Sequence, residues 1–397
     1  MTTTTSQPDQ AVIALGFDDI AGRVRRFAPR IREHVEKIEE LRRLPTEVVE
    51  GLRDCGVFRA AMPAEWGGPE LSSMEQISLI EELARIDGSV AWCAMIGMDS
   101  GIYAGFLRPD AARAVYPRLD MITAGMVLPV GQAHLTGDGF RVDGHWRFGS
   151  GSTHADWILG GCSLYKDGEQ VLDPNGAPIW LLVLMPPPDV TIEDNWYPTG
   201  LAGTGSCDYS VRGLPVPGER VFNFYQPYRD GPQYRGGGAD AITRKMSGVP
   251  LGLARAAIDY VYELAEGKVD YPATPWKQSR RIRIAVAECE MRLGAASSAV
   301  YSSVEAQWKR LVANEPMTRQ ERAGAALARY YAFRAAREIT ETLYDLVGGD
   351  SVYRNRTPLD RLLRDTTTAC QHFAGQHRIK ELAGQLLLGE EPDIPLI

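Results

Sequence analysis

The sequence predicts an α+β multidomain protein in which a β domain lies between two helical domains. The chain has 397 residues, which is long enough to form more than one hydrophobic core. Apolar residues recur at helical spacing towards both ends, and short apolar runs separated by Gly, Pro, Asn and Asp fill the middle. We therefore predict a disordered tail over residues 1–15, a helical domain over 16–120, a β domain over 121–235 and a four-helix bundle over 236–397.

The first helical domain is indicated by apolar residues three and four positions apart. Val48, Val49, Leu52 and Cys55 follow this spacing, which places them on one face of a helix. Pro45 stands just before them and is typical of a helix start, where a missing backbone N–H is tolerated. This pattern predicts a helix that begins close to residue 46.

The middle of the chain has the composition of strands and turns. Residues 157–160 and 180–185 are short apolar runs that predict strands. Residues 173–176, Asp-Pro-Asn-Gly, have the composition of a tight turn. The segment 223–240 is rich in Gly, Pro and Tyr, which predicts a linker before the bundle.

The C-terminal domain returns to the helical period. Leu253, Ala257 and Val261 mark one apolar stripe, and long Ala-rich stretches follow it. A last helix is predicted over residues 361–388. About four helices with this pattern suit an antiparallel bundle.

Composition excludes several classes of protein. The net charge is −8 and the basic residues are interspersed with acidic ones, which argues against a nucleic-acid partner. The six cysteines are far apart and form no cluster with histidine, so we predict neither a metal site nor a disulfide framework. No apolar run approaches the roughly eighteen residues of a membrane span, and the N-terminus does not resemble a signal peptide. We therefore expect a cytoplasmic protein.

Several motifs resemble the acyl-CoA dehydrogenase fold family. Residues 63–68, Pro-Ala-Glu-Trp-Gly-Gly, are similar to its P-x-x-y-G-G connector, and residues 82–87, Glu-Leu-Ala-Arg-Ile-Asp, to its E-l-A-r-x-D helix. Residues 359–365, Leu-Asp-Arg-Leu-Leu-Arg-Asp, resemble its l-x-R-l-x-R-D segment. The resemblance covers nearly the whole chain. It implies a helical domain, a β-barrel or sandwich domain and a four-helix bundle, assembled as a homotetramer that is a dimer of dimers.

The β domain contains a stretch that resembles the flavin-contacting strand of this family. In the family an aromatic residue is followed two positions later by a Ser or Thr near flavin N5, and Phe148 and Ser150 occupy these positions. Trp146 and Trp157 flank them, which suggests a flavin wall, whereas the alternative for Ser150 is an ordinary turn residue. The other residues that the resemblance assigns to the flavin in this domain are Pro129, Gly131, Gly151, Thr204 and Ser206.

The bundle contains a second set of predicted flavin contacts. Gly348 and Gly349 resemble a family loop whose backbone approaches the flavin diphosphate across a subunit interface, and glycine suits a close approach because it lacks Cβ. Since this loop resembles an ADP-binding feature, reduced FAD is the expected cofactor and reduced FMN the alternative. Arg280 is a predicted contact to the flavin phosphates, or alternatively a solvated side chain.

The segment after the R-D pair separates two chemistries of this fold. A dehydrogenase needs a carboxylate base, which in the family commonly stands nine residues after the Arg of that pair. Counting from Arg364, this position is Phe373, and the other family position, on the first bundle helix near residues 242–250, contains no Glu. His372 stands directly before Phe373, where monooxygenases of this fold have a His. An imidazole with a pKa near ~6.5 suits proton removal from a phenol, an indole or an amine.

The resemblance therefore implies the oxygenase component of a two-component flavin-dependent monooxygenase. Such a component receives reduced flavin from a separate NAD(P)H:flavin reductase and uses O2, through a flavin hydroperoxide, to hydroxylate a small aromatic substrate, here a phenol or an indole. His372 and Ser150 are the predicted catalytic residues. The predicted substrate pocket consists of Met95, Met98, Tyr103 and Phe373.

Several alternatives stay open at this point. His372 lies seven residues after Asp365, so on one continuous helix the two side chains would share a face and His372 would have a structural role. The protein as a whole is alternatively an acyl-CoA dehydrogenase with a displaced base, an N-oxygenase of an amine, or a flavoprotein without activity.

Overall fold

The computed structural model describes residues 15–392. Apart from Leu15, the tail predicted over residues 1–15 lies outside this range. Along the described chain, a group of helices is followed by a β sheet and then by a second group of helices. None of the helices among residues 15–392 is both long enough and apolar enough to cross a membrane.

The N-terminal region consists of six helices, one of which is almost completely buried. The elements are α1 (Phe17–Glu33), α2 (Val35–Leu41), α3 (Thr46–Cys55), α4 (Ser73–Ala84), α5 (Gly88–Phe106) and α6 (Pro109–Val115). The predicted start of α3 after Pro45 is confirmed. In α5 every residue except Ile96 is buried, which is the pattern of a core helix. Asp87 caps this helix, because its Oδ1 accepts a hydrogen bond from Val90 N at 3.0 Å.

The middle region is one eight-stranded sheet. Its strands are β1 (Thr123–Leu135), β2 (Gly139–Gly149), β3 (Trp157–Lys166), β4 (Glu169–Gln170), β5 (Trp180–Met185), β6 (Thr191–Ile192), β7 (Cys207–Pro217) and β8 (Val221–Phe222). Their order is β6-β7-β2-β1-β3-β5-β8, with β4 paired to β3. The β1–β3 pair is parallel, and the others are antiparallel.

The strands and the turn predicted in this region are confirmed. Residues 157–160 lie in β3, and residues 180–185 form β5. In the turn at residues 173–176, Asp173 Oδ1 accepts hydrogen bonds from Asn175 N and Ala177 N, each at 2.9 Å. Gly176 adopts a φ of 84°, in the left-handed region that favours glycine.

The C-terminal region is a helical bundle. Its helices are α7 (Gly238–Thr243), α8 (Gly248–Ala265), α9 (Arg280–Ala313), α10 (Arg319–Val347), α11 (Leu359–Ala369) and α12 (Arg378–Leu387). The short strands β9 (Val269–Asp270) and β10 (Thr274–Pro275) pair between α8 and α9. The predicted stripe on α8 is buried, and the helix packs between α4 and α10.

The prediction of one continuous helix over residues 361–388 is wrong. Helix α11 ends at Ala369 and α12 begins at Arg378, and a short 3-10 turn, Phe373–Gly375, lies between them. The backbone leaves the helical conformation at His372, which is extended with φ −64° and ψ 145°. A Cβ on Gly375 would lie 3.0 Å from Cys370 Cα and 3.2 Å from Phe333 Cγ, so the turn packs tightly and favours glycine there. His372 is therefore in a loop, and the helix face that it was expected to share with Asp365 does not exist.

Candidate active site

Trp92 lies where α5, the β sheet and the loop between α11 and α12 meet. Its Nε1 donates a hydrogen bond to Ser150 Oγ at 3.2 Å. Its ring packs edge-on against His372, with centroids 5.3 Å apart and an interplanar angle of 78°. The structure thus brings the two predicted catalytic residues to the same side chain.

Sequence reasoning missed Trp92 itself. The available signal was its position one helical turn before Met95, a predicted pocket residue on the same helix face. A tryptophan in a helix that is buried on all sides is usually a core residue, so the signal was weak.

A relay of hydroxyl groups continues from Trp92 into the β domain. Ser150 Oγ lies 2.7 Å from Ser206 Oγ, which lies 2.7 Å from Thr204 Oγ1. Thr204 Oγ1 donates to the carbonyl oxygen of Leu201 at 2.8 Å. Because a carbonyl only accepts, the direction of the whole relay is fixed: Trp92 donates to Ser150, Ser150 to Ser206, and Ser206 to Thr204. The hydroxyl proton of Ser150 is therefore used in the hydrogen bond to Ser206 and is not available to a ligand.

The loop that supplies Thr204 and Ser206 is held from two sides. Gly203 N donates to Ser89 Oγ at 3.1 Å, and Leu201 N donates to Asp365 Oδ1 at 2.6 Å. Burial, with a further contribution from the nearby carboxylate of Asp87, raises the pKa of Asp365 to about 7. The Asp of the R-D pair thus positions this loop.

Phe148 presents its ring to solvent at the edge of this relay. Its φ is 62°, and its side chain is 50% exposed. Alternation along β2 would place Trp146 and Phe148 on one face of the sheet, but the left-handed residue and an irregular register between Trp146 and Gly149 break the alternation. Trp146 is fully buried, donates to Gly161 O at 2.8 Å and stacks on Tyr209. The suggestion that Trp146 belongs to a flavin wall is therefore wrong.

Gly131 and Pro129 lie on β1, in the part of the sheet that holds Trp146. A Cβ on Gly131 would lie 2.4 Å from Trp146 Cζ2 and 2.9 Å from Cys162 Sγ. The glycine therefore makes room for the buried indole, a packing role that the resemblance did not indicate. Pro129 belongs to an irregular stretch of the β1–β3 pairing, and its carbonyl oxygen accepts from Ser163 Oγ at 3.4 Å.

The environment of His372 makes its imidazole neutral. Burial and, secondly, the positive charge of Arg329 lower the pKa of His372 to about 4. This value replaces the expected pKa near ~6.5. Nδ1 accepts a hydrogen bond from Ala374 N at 3.4 Å, so in this arrangement the neutral ring carries its proton on Nε2. The imidazole is thus a weak base with one N–H left to donate.

Of the two aromatic residues in the predicted pocket, Phe373 contacts the ring of His372 and Tyr103 packs elsewhere. Phe373 is half-buried, and its ring centroid lies 4.5 Å from that of His372. Met95 and Met98 are buried in the helical core. Tyr103 packs instead against Phe222 and Phe224, at ring-centroid distances of 5.7 and 6.1 Å.

A buried ion pair holds α5 against the segment between α7 and α8. Lys245 Nζ donates to Asp99 Oδ1, and the two side chains are 1% and 4% exposed. Asp99 lies two helical turns after Trp92, on the same face of α5. Burial raises the pKa of Asp99 to about 6, against the opposing effect of Lys245.

The predicted flavin residues of the bundle lie together but apart from the hydroxyl relay. Arg280 is the first residue of α9, and Gly348 and Gly349 follow the end of α10; all three are exposed. Arg281 Nη1 donates to Leu346 O at 3.0 Å, which brings the two ends together. Within residues 15–392, no hydrogen bond, ion pair or ring contact joins these residues to Ser150.

Two family models match the chain. The N-terminal domain of acyl-CoA dehydrogenases matches residues 18–108, and the C-terminal domain of acyl-CoA dehydrogenases matches residues 245–377. XiaF from Streptomyces sp., solved in complex with FADH2 and glycerol, has the same fold: the TM-score is 0.87 at 24% identity, over 96% of this chain and 98% of that one.

Two relatives narrow the class further. The chain is 30% identical over 367 residues to the indole-3-acetate monooxygenase of Pseudomonas putida, which covers 91% of this chain and 92% of that protein. It is 26% identical over 358 residues to the flavin-dependent monooxygenase, oxygenase subunit HsaA, of Rhodococcus jostii, over 87% and 92% of the two chains. The chain therefore belongs to the acyl-CoA dehydrogenase-fold family. Within it, the chain is an oxygenase component of the two-component flavin-dependent monooxygenases, which use reduced flavin supplied by a reductase.

Proposed function

We propose that this chain hydroxylates a small aromatic substrate, a phenol or an indole, with reduced FAD and O2. The observation that carries the proposal is the contact of Trp92 with both Ser150 and His372. One buried side chain thus fixes the spacing between the strand that the resemblance assigns to the flavin and the imidazole that it assigns to the substrate. Phe373, in contact with His372, offers no base for dehydrogenation.

The residues of the β domain fit a flavin ring. Phe148 offers an exposed aromatic face, and Ser150 offers an oxygen beside it. Gly151 N donates to Thr204 O at 2.8 Å, which ties the strand to the loop of the relay. When bound, reduced flavin supplies the oxygen-activating chemistry. The protein's part is to bind it, to exclude water and to orient the substrate.

The bundle residues fit a diphosphate, which favours FAD over FMN. Among the described residues nothing lies within 4 Å of a Cβ built on Gly348 or Gly349, so their backbone is open to a ligand. Because no contact joins them to Ser150 within one described chain, we propose that the two groups meet across a subunit interface in a homotetramer, a dimer of dimers. A separate NAD(P)H:flavin reductase supplies the reduced flavin in the cytoplasm.

In this proposal His372 contacts the substrate as a neutral ring. With a pKa of about 4 it remains uncharged throughout the physiological range. Its Nε2–H donates a hydrogen bond to the oxygen of a phenol substrate and orients the aromatic ring, whereas an indole, whose nitrogen only donates, would meet the edge of the imidazole without this bond. Phe373, next to it, provides an apolar contact.

The test supplies chemically reduced FAD and O2 to the full chain with a panel of phenols and indoles, and measures hydroxylated product and released hydrogen peroxide. We expect product from at least one substrate. His372→Ala should abolish product while flavin binding persists. The matched control is His377→Ala, because His377 is exposed and hydrogen-bonds Tyr330 Oη at 3.2 Å. Reduction of oxidised flavin by an acyl-CoA, or full turnover by His372→Ala, would contradict the proposal.

A further inference from the structure

A cavity of about 500 Å³ opens at one end of the helical bundle. It lies between the linker before α7, the C-terminal end of α9 and the N-terminal part of α10. Its volume is that of a small-molecule site. The lining residues used below are Asp240, Glu315 and Arg329.

Arg329 is a buried cation without an ionic partner in the described chain. It is 7% exposed, and its Nη1 donates to Thr243 Oγ1 at 3.1 Å. Its Nε has no hydrogen-bond partner, and among residues 15–392 no carboxylate forms an ion pair with it. Burial lowers the pKa of Arg329, against the opposing effect of the Asp240 charge, which forms no ion pair with it. A buried charge is costly unless a partner of opposite charge compensates it, and such charges in proteins are nearly always paired.

The acidic groups of the cavity are engaged with other arginines. Asp240 Oδ2 accepts from Arg244 Nε at 2.7 Å, and Glu315 Oε2 accepts from Arg310 Nη1 at 2.7 Å. Asp240 thus acts on two guanidinium groups, as the ion-pair partner of Arg244 and at longer range on Arg329, so these three groups together keep a surplus of positive charge at the wall of the cavity.

Among the residues that line the cavity, Arg329 is the one with a link to the segment that holds His372. Arg329 is one helical turn before Phe333 on α10, and the Phe333 carbonyl oxygen accepts from Cys370 Sγ at 3.2 Å. Cys370 is two residues before His372, whose pKa the charge of Arg329 helps to lower. Arg329 is thus close enough to the imidazole for its charge to act on it.

We propose that Arg329 binds a carboxylate group of the substrate, so that the substrate is an aromatic acid. The inference rests on the proposed aromatic hydroxylation and adds the charge of the substrate to it. A guanidinium offers a planar pair of N–H groups that matches a carboxylate. A monoanion neutralises one unpaired guanidinium, whereas a phosphate dianion would bring surplus negative charge close to Asp240. The aromatic end of the acid then extends from Arg329 towards His372.

The test compares acids with their neutral amides on the full-length protein by calorimetry. The probes are indole-3-acetate with indole-3-acetamide, and 4-hydroxyphenylacetate with 4-hydroxyphenylacetamide. A hydrogen-bonded charge contributes enough to binding that we expect at least one acid to bind about 10- to 100-fold more tightly than its amide. Arg329→Met should abolish this preference, and Arg329→Lys should keep part of it.

The control is Arg319→Met, which removes an arginine from the same helix. Arg319 is half-exposed and pairs with Glu391 at 2.7 Å, so the acid preference should be unchanged. The unfolding temperature gives a second readout. If Arg329 serves a ligand, Arg329→Met removes an unpaired buried charge and should raise the unfolding temperature of the ligand-free protein.

Three results would overturn the inference. These are equal or absent binding of both acids relative to their amides, an acid preference that survives in Arg329→Met, and a lower unfolding temperature of that variant. Failure of the proposed function looks different, because acids would then bind through Arg329 but reduced flavin and O2 would yield no hydroxylated product.

Discussion

The pH dependence of product formation follows from the environment of His372. Burial and the charge of Arg329 lower the pKa of this residue to about 4. At about pH 5, a group with that pKa is roughly nine-tenths neutral, whereas an imidazole with a pKa near ~6.5 would be only about 3% neutral. Lowering the pH from about 7.5 to about 5 should therefore leave the His372-dependent yield almost unchanged, whereas an ordinary imidazole would lose it about thirtyfold.

The lowered pKa of His372 also determines how the stability of the protein changes with pH. The pKa in the folded protein lies below the ordinary value of 6.5, so the fold disfavours the protonated ring. The contribution of neutral His372 to stability is thus present above about pH 6.5 and is lost as the pH falls towards about 4.

The assay is a single turnover with chemically reduced FAD, so that the titration of the reductase does not enter. Product is measured between about pH 5 and pH 8 for the wild type and for His372→Asn. A wild-type profile with an apparent pKa between about 6 and 7 that disappears in His372→Asn would refute the reasoning. Arg329→Met should raise the pKa of His372 by less than the full shift, because burial, the larger cause, remains.

Three further predictions concern the side chains around the site. Trp92→Phe keeps an aromatic ring but loses the hydrogen bond to Ser150, worth about 1 kcal/mol, so we expect a several-fold increase in hydrogen peroxide released per product; unchanged coupling would argue against the relay. Asp99→Leu and Lys245→Met should each lower the free energy of unfolding in urea by about 3 kcal/mol or more, because each leaves a buried charge unpaired, and the double variant should recover most of the loss; additive losses would contradict this. The pKa of Asp365 is raised to about 7, so its contribution to stability is present below about pH 4 and is lost as the pH rises towards 7. Asp365→Asn, which keeps the acceptor for Leu201 N, should therefore stabilise the protein at about pH 8 more than at about pH 4, and an equal effect at both would be inconsistent with the raised pKa.

The parts of the fold that sequence predicted are those in which one face of an element is buried. Residues 48–55 repeat at helical spacing because their apolar face packs on the core, and residues 180–185 form an apolar run because β5, which lies between β3 and β8, is buried. The break between α11 and α12 cannot be seen in the apolar pattern of the sequence. Apolar residues continue at helical spacing on both sides of it, whereas the extended backbone of His372 and the close packing of Gly375 against Phe333 depend on the tertiary structure.

The site was predictable only where its side chains follow a family motif. Ser150 and His372 stand in such motifs, and the structure brings both to Trp92. Trp92 and Arg329 occupy ordinary positions in long helices. Their roles depend on contacts with residues of other elements, such as Ser150 and His372 for Trp92 and Thr243 for Arg329. The exposure of Phe148 could not be predicted from the sequence either. Side chains alternate between the two faces of a sheet only where the backbone is regular, and Phe148 has a φ of 62°.

With flavin N5 placed at Ser150, as proposed above, the direction of the hydroxyl relay would make Ser150 selective for the oxidation state of the flavin. Its proton points to Ser206 and one lone pair receives the indole N–H of Trp92, so towards a ligand Ser150 offers only its remaining lone pair. An oxygen in this state accepts a hydrogen bond from an N–H group and is repelled by the lone pair of an unprotonated nitrogen. Reduced flavin has a hydrogen on N5 and oxidised flavin does not, so a ring placed with N5 at Ser150 is held before the reaction and loosened after it. In the proposed function the flavin arrives reduced and leaves oxidised at every turnover, and the orientation of the Ser150 proton would favour both steps.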